Sequence, residues 1–225
     1  MTARELVFAT LRRSLGVSGS EAPRRAAVAA RLAGHPAGVV PARGQRPPLE
    51  RLDLFARMVD ASAGTAERVA TAADIPAALA AFLRGLNLPL RVRHGDDPRL
   101  VAVPWGTEPA LEIRRGASDG QDLAAVSHAF VAVAETGTLV LTSGPDNPTT
   151  LNFLPDVHGV VVDAADVASD FETAMARLRQ RYGVGIMPRT VNMITGPSRS
   201  ADIEQTLLLG AHGPRKLHVI VVGNP

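Results

Sequence analysis

Residues 129–143, AFVAVAETGTLVLTS, contain two apolar runs separated by a single carboxylate, Glu135. Short runs rich in valine and leucine are typical of buried strands. The dipeptide Thr136-Gly137 between them is short enough for a tight reversal, in which glycine supplies a positive φ. The stretch therefore predicts a buried β-hairpin with Glu135 at its lip. There Glu135 either caps nearby backbone N–H groups or acts as a catalytic or ligand-binding carboxylate.

Beyond residue 65, short apolar segments alternate with helical patterns. This alternation predicts an α/β fold with an open, mostly parallel sheet flanked by helices, which the hairpin makes mixed. The other predicted strands are AERVA, LRVRH, RLVAVP, LEIRR, LAAVS, VHGVVV, VNMIT and LHVIVVG.

The first 48 residues differ from the rest of the chain. A capping box, Thr2-x-x-Glu5, opens one predicted helix, a second runs over 23–33, and residues 35–48 are rich in proline and glycine. We therefore expect an N-terminal helical arm and linker over 1–48 and the α/β domain over 49–225. Further helices are predicted over 49–63, over 74–86 and after a second capping box, Ser169-x-x-Glu172.

Composition excludes several classes of function. The chain has no cysteine, which rules out thiolate nucleophiles and cysteine-ligated zinc or iron–sulfur clusters within it. The only lysine, Lys216, follows no phosphate-binding loop, and no pair of histidines has metal-ligand spacing. A net charge of +2 with one Trp and one Tyr does not indicate nucleic-acid binding. No apolar run is long enough to span a membrane and no secretory signal is recognisable, so we expect a cytoplasmic protein.

The segment 191–210 is the most readable candidate site. A strand runs into Gly196-Pro197-Ser198-Arg199-Ser200, and a helix is predicted to begin there. The first N–H groups of a helix attract anions, and the Arg199 fork suits a carboxylate or phosphate. The alternative is that Ser198 or Ser200 caps the helix while Arg199 pairs with Asp202 or Glu204 in solvent.

A second cluster, Gly210-Ala211-His212-Gly213-Pro214, follows that helix. A helix of about 10 residues is roughly 15 Å long, so we expect His212 at the opposite end of the sheet from Arg199. A site containing both residues would then require a partner subunit, as in a homo-oligomer. Alone, this turn is either a helix stop or the location of a base.

Two stretches carry a family resemblance. Residues 134–162, AETGTLVLTSGPDNPTTLNFLPDVHGVVV, and residues 193–223, MITGPSRSADIEQTLLLGAHGPRKLHVIVVG, resemble the lactate utilization protein C family of LUD-domain proteins. The resemblance implies a fold similar to the sugar-phosphate isomerase, CoA-transferase and formyltetrahydrofolate cyclo-ligase group. The positions that match the family's motifs are Glu135, Thr136, Gly137, Thr138, Gly196, Pro197, Ser198, Arg199, Asp202, Glu204, Gln205, His212, Gly213 and Pro214.

The resemblance also implies a role in oxidising L-lactate to pyruvate together with iron–sulfur partner proteins. Because this chain lacks cluster cysteines, we expect it to bind no cofactor and to act as an accessory subunit that binds a small carboxylate or phosphate. One alternative is a self-sufficient isomerase- or CoA-transferase-like enzyme with Glu135 as base or nucleophile. Another is a scaffold that docks partners through its N-terminal arm. The site hypothesis expects Glu135 and Arg199 to face one cleft.

Overall fold

The computed structural model describes residues 2–200 and 208–224, and the chain divides into two compact units, Met1–Val39 and Val40–Pro225. The first unit contains helices α1 (Ala3–Leu15) and α2 (Ala22–Gly34). Thr2 and Glu5 form the predicted capping box, and Gly16 ends α1 in the left-handed conformation at φ 63°.

The second unit alternates strands with helices, as the sequence predicts. Its helices are α3 (Pro48–Ala61), α4 (Ile75–Gly85), α5 (Pro98–Val101), α6 (Thr150–Phe153) and α7 (Phe171–Tyr182). Its strands are β1 (Thr65–Val69), β2 (Arg91–His94), β3 (Glu112–Arg115), β4 (Ala124–His128), β5 (Val131–Val133), β6 (Thr138–Thr142), β7 (Val157–Asp163), β8 (Val167–Ala168), β9 (Val191–Ile194), β10 (Arg199–Ser200), β11 (Leu208–Leu209) and β12 (Lys216–Val222). None of the helices in the described ranges is long and apolar enough to cross a membrane.

Six strands form a wholly parallel sheet in the order β1-β12-β7-β4-β2-β3. Its central strands are buried on both faces, which explains why their sequences are continuously apolar rather than alternating. On one face, α4 contributes Ile75, Leu79 and Leu83 to a core with Val126 and Ile220. The predicted α/β architecture is confirmed.

The hairpin belongs to a second, smaller sheet in the order β8-β5-β6-β9, so the expectation of one mixed sheet is wrong. Side chains alternate along the hairpin between two separate cores. Leu139 and Leu141 join a core that includes Phe55 of α3, whereas Val140 packs in a core with Leu178 of α7. Because both faces of the hairpin are covered, its sequence resembles that of a strand within the main sheet.

Three local predictions are corrected. The segment RLVAVP begins with helix α5 instead of a strand, because Asp97 accepts the backbone N–H of Arg99 at 2.9 Å and Pro98 occupies the first turn. Helix α7 is capped by Asp170, which accepts the N–H of Thr173 at 2.8 Å, and not by Ser169. The predicted helix over 201–210 ends instead in strand β11, and its residues 201–207 lie outside the described part of the chain.

Candidate functional site

The segment that follows β9 folds back on itself. Strand β10, Arg199–Ser200, pairs antiparallel with β11, and the N–H of Gly210 donates to the carbonyl oxygen of Ser198 at 2.9 Å. The N–H of His212 donates to Ser198 Oγ at 3.2 Å. The sequence placed His212 at the far end of the sheet, and that prediction is wrong. The antiparallel pairing brings His212 beside Ser198, so no partner subunit is needed to unite the two motifs.

Both motifs line one cleft of about 270 Å³. Predicted site residues in its lining are Gly196, Ser198, Arg199, His212 and Gly213, whereas Ser200 is absent from the lining and Asp202, Glu204 and Gln205 lie outside the described residues. Arg199 is exposed in this lining and forms no ion pair with any residue of 2–200 or 208–224; a guanidinium fork of this kind suits a carboxylate or phosphate.

The backbone at Gly196 fixes the position of this loop. Its φ is +75°, and a Cβ atom there would lie 2.1 Å from the carbonyl oxygen of Ser62. No side chain fits such a distance, and the left-handed conformation also disfavours any residue other than glycine. The glycine lets the loop approach the end of α3 closely and so sets the entrance of the cleft.

A buried polar network forms the inner wall of the cleft. Ser127 Oγ donates to Asn152 Oδ1 at 2.9 Å, and His158 Nε2 lies 3.1 Å from Ser127 Oγ. All three side chains are at most 1% exposed, and Asn152 and His158 line the cleft. Because the Ser127 proton is already donated to Asn152, His158 Nε2–H must donate to Ser127. His158 Nδ1 is therefore an acceptor.

Two polar atoms of this network lack partners. His158 Nδ1 and Asn152 Nδ2 are buried and make no hydrogen bond to any described residue. Complete burial lowers the pKa of His158 to about 3, so the ring is neutral at pH 7. Two residues of the lining thus hold one buried acceptor and one buried donor without partners among the described residues, and each such atom costs free energy. A hydroxyl group donates one hydrogen bond and accepts others, so it has both functions that these two atoms need.

The sequence did not identify these wall residues. His158 lies inside the apolar run VHGVVV, and Asn152 lies in the short helix TLNF. A histidine within a strand buried on both faces is itself a signal, because burial of an imidazole requires hydrogen-bonding partners. Ser127 and Asn152 come from separate elements, and only the tertiary structure brings them together.

Glu135 lies outside the cleft that contains Arg199. Its side chain is buried at 4% exposure, and Oε1 accepts the N–H of Phe171 at 3.3 Å at the start of α7. Its own N–H donates to the Ser169 carbonyl, and Oε2 has no partner among the described residues. Glu135 does not line the cleft that contains Arg199, contrary to the expectation that the two share one cleft. The geometry matches the capping interpretation of this carboxylate.

The other residues of the hairpin tip hold neighbouring elements together. Thr138 Oγ1 lies 2.7 Å from Thr136 Oγ1 and 2.7 Å from Oγ1 of Thr195, which lines the cleft. Gly137 has φ 69°, and a Cβ atom there would lie 2.6 Å from the Val59 nitrogen of α3. The Thr-Gly-Thr segment therefore presses the hairpin against α3 and supports the loop that carries Gly196 and Arg199.

Comparison with known proteins is consistent with this arrangement. Residues 112–222 match the LUD domain. The chain is 34% identical over 145 residues to an uncharacterized protein of Neisseria meningitidis, covering 62% of this chain and 61% of the relative. It is 39% identical over 144 residues to lactate utilization protein C of Geobacillus thermodenitrificans, covering 56% and 60% respectively. The corresponding protein of Bacillus subtilis is 35% identical over 100 residues, covering 44% of this chain and 42% of the relative.

The fold is also similar to a solved structure. The crystal structure of a DUF162 family protein from Deinococcus radiodurans superposes with a TM-score of 0.55 at 25% identity, covering 79% of this chain and 99% of that one. Residues 112–222 are thus similar to the LUD domain, and the resemblance inferred from the two motifs is confirmed. It spans about three fifths of the length of the first two curated relatives named above.

Proposed function

We propose that this protein is the small-carboxylate-binding component of a system that oxidises L-lactate to pyruvate. The cleft beside Arg199 is the binding site. The observation that carries the proposal is that His158 and Asn152, whose Nδ1 and Nδ2 atoms have no hydrogen-bond partner among the described residues, line the same cleft as the exposed Arg199. Lactate has a carboxylate for the guanidinium and an adjacent hydroxyl group for the donor–acceptor pair.

The likeness to proteins named lactate utilization protein C supports the choice of lactate among small hydroxy acids. The chain cannot supply an iron–sulfur cluster, because such clusters are held by cysteine thiolates and it has none. We therefore assign electron transfer to iron–sulfur partner proteins. This chain binds and orients the substrate, and neutral His158 accepts the hydroxyl proton in a hydrogen bond.

Two alternative roles differ in the structural support that they have. An isomerase- or CoA-transferase-like activity, with the related fold, would place Glu135 as base, but no contact of Glu135 with this cleft supports it. Docking of partners through the N-terminal arm is favoured by the exposed apolar side chains of its first helix. These are Leu6, Val7, Phe8, Leu11 and Leu15. Deleting residues 1–39 and testing co-purification with iron–sulfur partners addresses that role; retained co-purification would remove it.

The binding proposal is tested by calorimetric titration of the full chain with L-lactate and with propionate, which lacks the hydroxyl group. We expect L-lactate to bind at least about tenfold more tightly, equivalent to about 1.4 kcal/mol. Arg199→Gln should weaken both ligands by about tenfold or more. The matched control is Arg189→Gln, since Arg189 is exposed and does not line the cleft. Equal affinity for the two ligands, or no effect of Arg199→Gln, would overturn the proposal.

A further inference from the structure

A second cleft lies at the carboxyl edge of the six-stranded sheet, with a volume of about 390 Å³. It is lined by His128, the last residue of β4, and by Asp97, which follows β2. From β2 the chain proceeds outward to β3, whereas from β4 it proceeds through β7 to β12 in the other direction. Open α/β sheets bind their ligands at such a change of direction. Among the residues that the structure describes, none lines both this cleft and the cleft at Arg199.

The walls of this cleft present acceptors that lack donors. Asn147 is 5% exposed, and its Nδ2 donates to the Thr142 carbonyl at 3.1 Å while Oδ1 is buried without a partner among the described residues. His128 Nδ1 lies 2.9 Å from the Ala129 carbonyl, so the ring proton sits on Nδ1 and Nε2 is an acceptor. Burial and the nearby Arg99 lower the pKa of His128, which keeps the ring neutral.

The acceptor of His128 faces another acceptor. Asp163 Oδ2 lies 3.5 Å from His128 Nε2, and a neutral ring offers it no proton. A group with several N–H donors placed between Asn147 and His128 would satisfy these atoms together. An ammonium group carries three such donors and a positive charge.

Some of the charged residues that line this cleft are ion-paired and others are not. Asp97 and Arg99 neutralise each other through contacts of 3.0 and 2.8 Å. Asp146 and Arg181 also line the cleft, and neither has an ion-pair partner within residues 2–200 and 208–224. Asp166 of the lining is paired with Arg177 at 3.0 Å, so among the described residues one carboxylate and one guanidinium of this cleft stay without an ion-pair partner. They are complementary to a ligand that carries both charges.

We propose that this cleft binds a small zwitterion of the α-amino acid class. The ammonium group donates to Asn147 Oδ1 and His128 Nε2 and is attracted by Asp146. The carboxylate pairs with the guanidinium of Arg181, whose planar fork matches it. The chain then carries two small-molecule sites, one for a hydroxy acid and one for an amino acid.

The test is calorimetric titration of the full chain at pH 7.5 with each of the twenty standard amino acids. We expect at least one to bind with a Kd of about 1 mM or less, and its matched amine without the carboxylate to bind at least about tenfold more weakly. Arg181→Gln should cost at least about tenfold in affinity. Arg179→Gln, on the same helix but outside the cleft lining, should change it less than about twofold.

The proposal is overturned if all twenty amino acids bind more weakly than about 1 mM, or if Arg181→Gln leaves the affinity unchanged. Tighter binding of an uncharged polyol such as glycerol would also overturn it, because that result would assign the acceptors to hydroxyl groups. Arg199→Gln should leave amino acid binding intact, which separates this site from the lactate site.

Discussion

His158 Nε2 lies 3.1 Å from Ser127 Oγ, and this contact ties two neighbouring strands of the parallel sheet to the wall of a cleft. The same hydroxyl donates to Asn152, so one serine hydroxyl fixes the orientation of both residues with unpartnered atoms. Such an arrangement is costly in an empty protein and becomes favourable when a ligand supplies the missing hydrogen bonds.

Removing the hydroxyl group of Ser127 should lower the stability of the folded protein. Ser127→Ala leaves Asn152 Oδ1 without its donor and His158 Nε2–H without its acceptor, both in the interior. We expect the free energy of unfolding in urea to fall by about 2–4 kcal/mol. The exposed hydroxyl of Thr107 provides a control, since Thr107→Ala should cost less than about 1 kcal/mol. A loss as small as that of the control would mean that the network is not intact in solution.

Stability should fall with acid because of His158. The pKa of this histidine is about 3 in the folded protein and near 6.5 when unfolded, so between these values the unfolded state binds the extra proton. Lowering the pH through that window should therefore lower the free energy of unfolding by up to about 1.4 kcal/mol per pH unit from this group. His94, His128 and His218 have pKa values lowered by burial and add to the slope.

The contribution of His158 is isolated by comparing the wild type with His158→Gln in urea between pH 5.5 and 4.5. We expect the variant to have the shallower dependence on pH. Equal slopes in the two proteins would contradict the buried neutral histidine.

Two glycines with the same backbone conformation test how closely the loop that carries Gly196 approaches the end of α3. Gly196 and Gly185 have φ values of +75° and +76°, but a Cβ atom meets the Ser62 oxygen only at Gly196 and nothing within 4 Å at Gly185. We expect Gly185→Ala to lower the free energy of unfolding by about 1 kcal/mol and Gly196→Ala by at least about 2 kcal/mol more. Similar losses for both would show that the loop does not press on α3.

The role of Glu135 can be separated from substrate binding. Glu135→Gln keeps an oxygen for the Phe171 N–H but removes the negative charge at the start of α7. We expect a loss of about 0.3–1 kcal/mol in stability and an unchanged affinity for L-lactate. A more than tenfold loss of lactate affinity with unchanged stability would show that Glu135 takes part in lactate binding.

The sequence predicted the alternating elements, the hairpin and the capping box of α1, because each depends on neighbouring residues. It did not predict that the hairpin forms a separate sheet, since a strand covered on both faces has the same apolar sequence in either sheet. The predicted position of His212 is wrong because β11 pairs antiparallel with β10, which brings His212 back beside Ser198. The Ser127–Asn152–His158 network joins residues up to 31 positions apart, and no local pattern links them.

In the proposed complex, the hydroxyl group of lactate bonds to His158 and Asn152 while its carboxylate pairs with Arg199. The most direct test is a titration of the ¹⁵N-labelled full chain with L-lactate, observed through the ring nitrogens of His158 by NMR. We predict a saturable shift of the Nδ1 resonance with L-lactate and a much smaller one with propionate. Saturation of binding, measured by calorimetry, with no change in either His158 nitrogen would contradict this mode of binding.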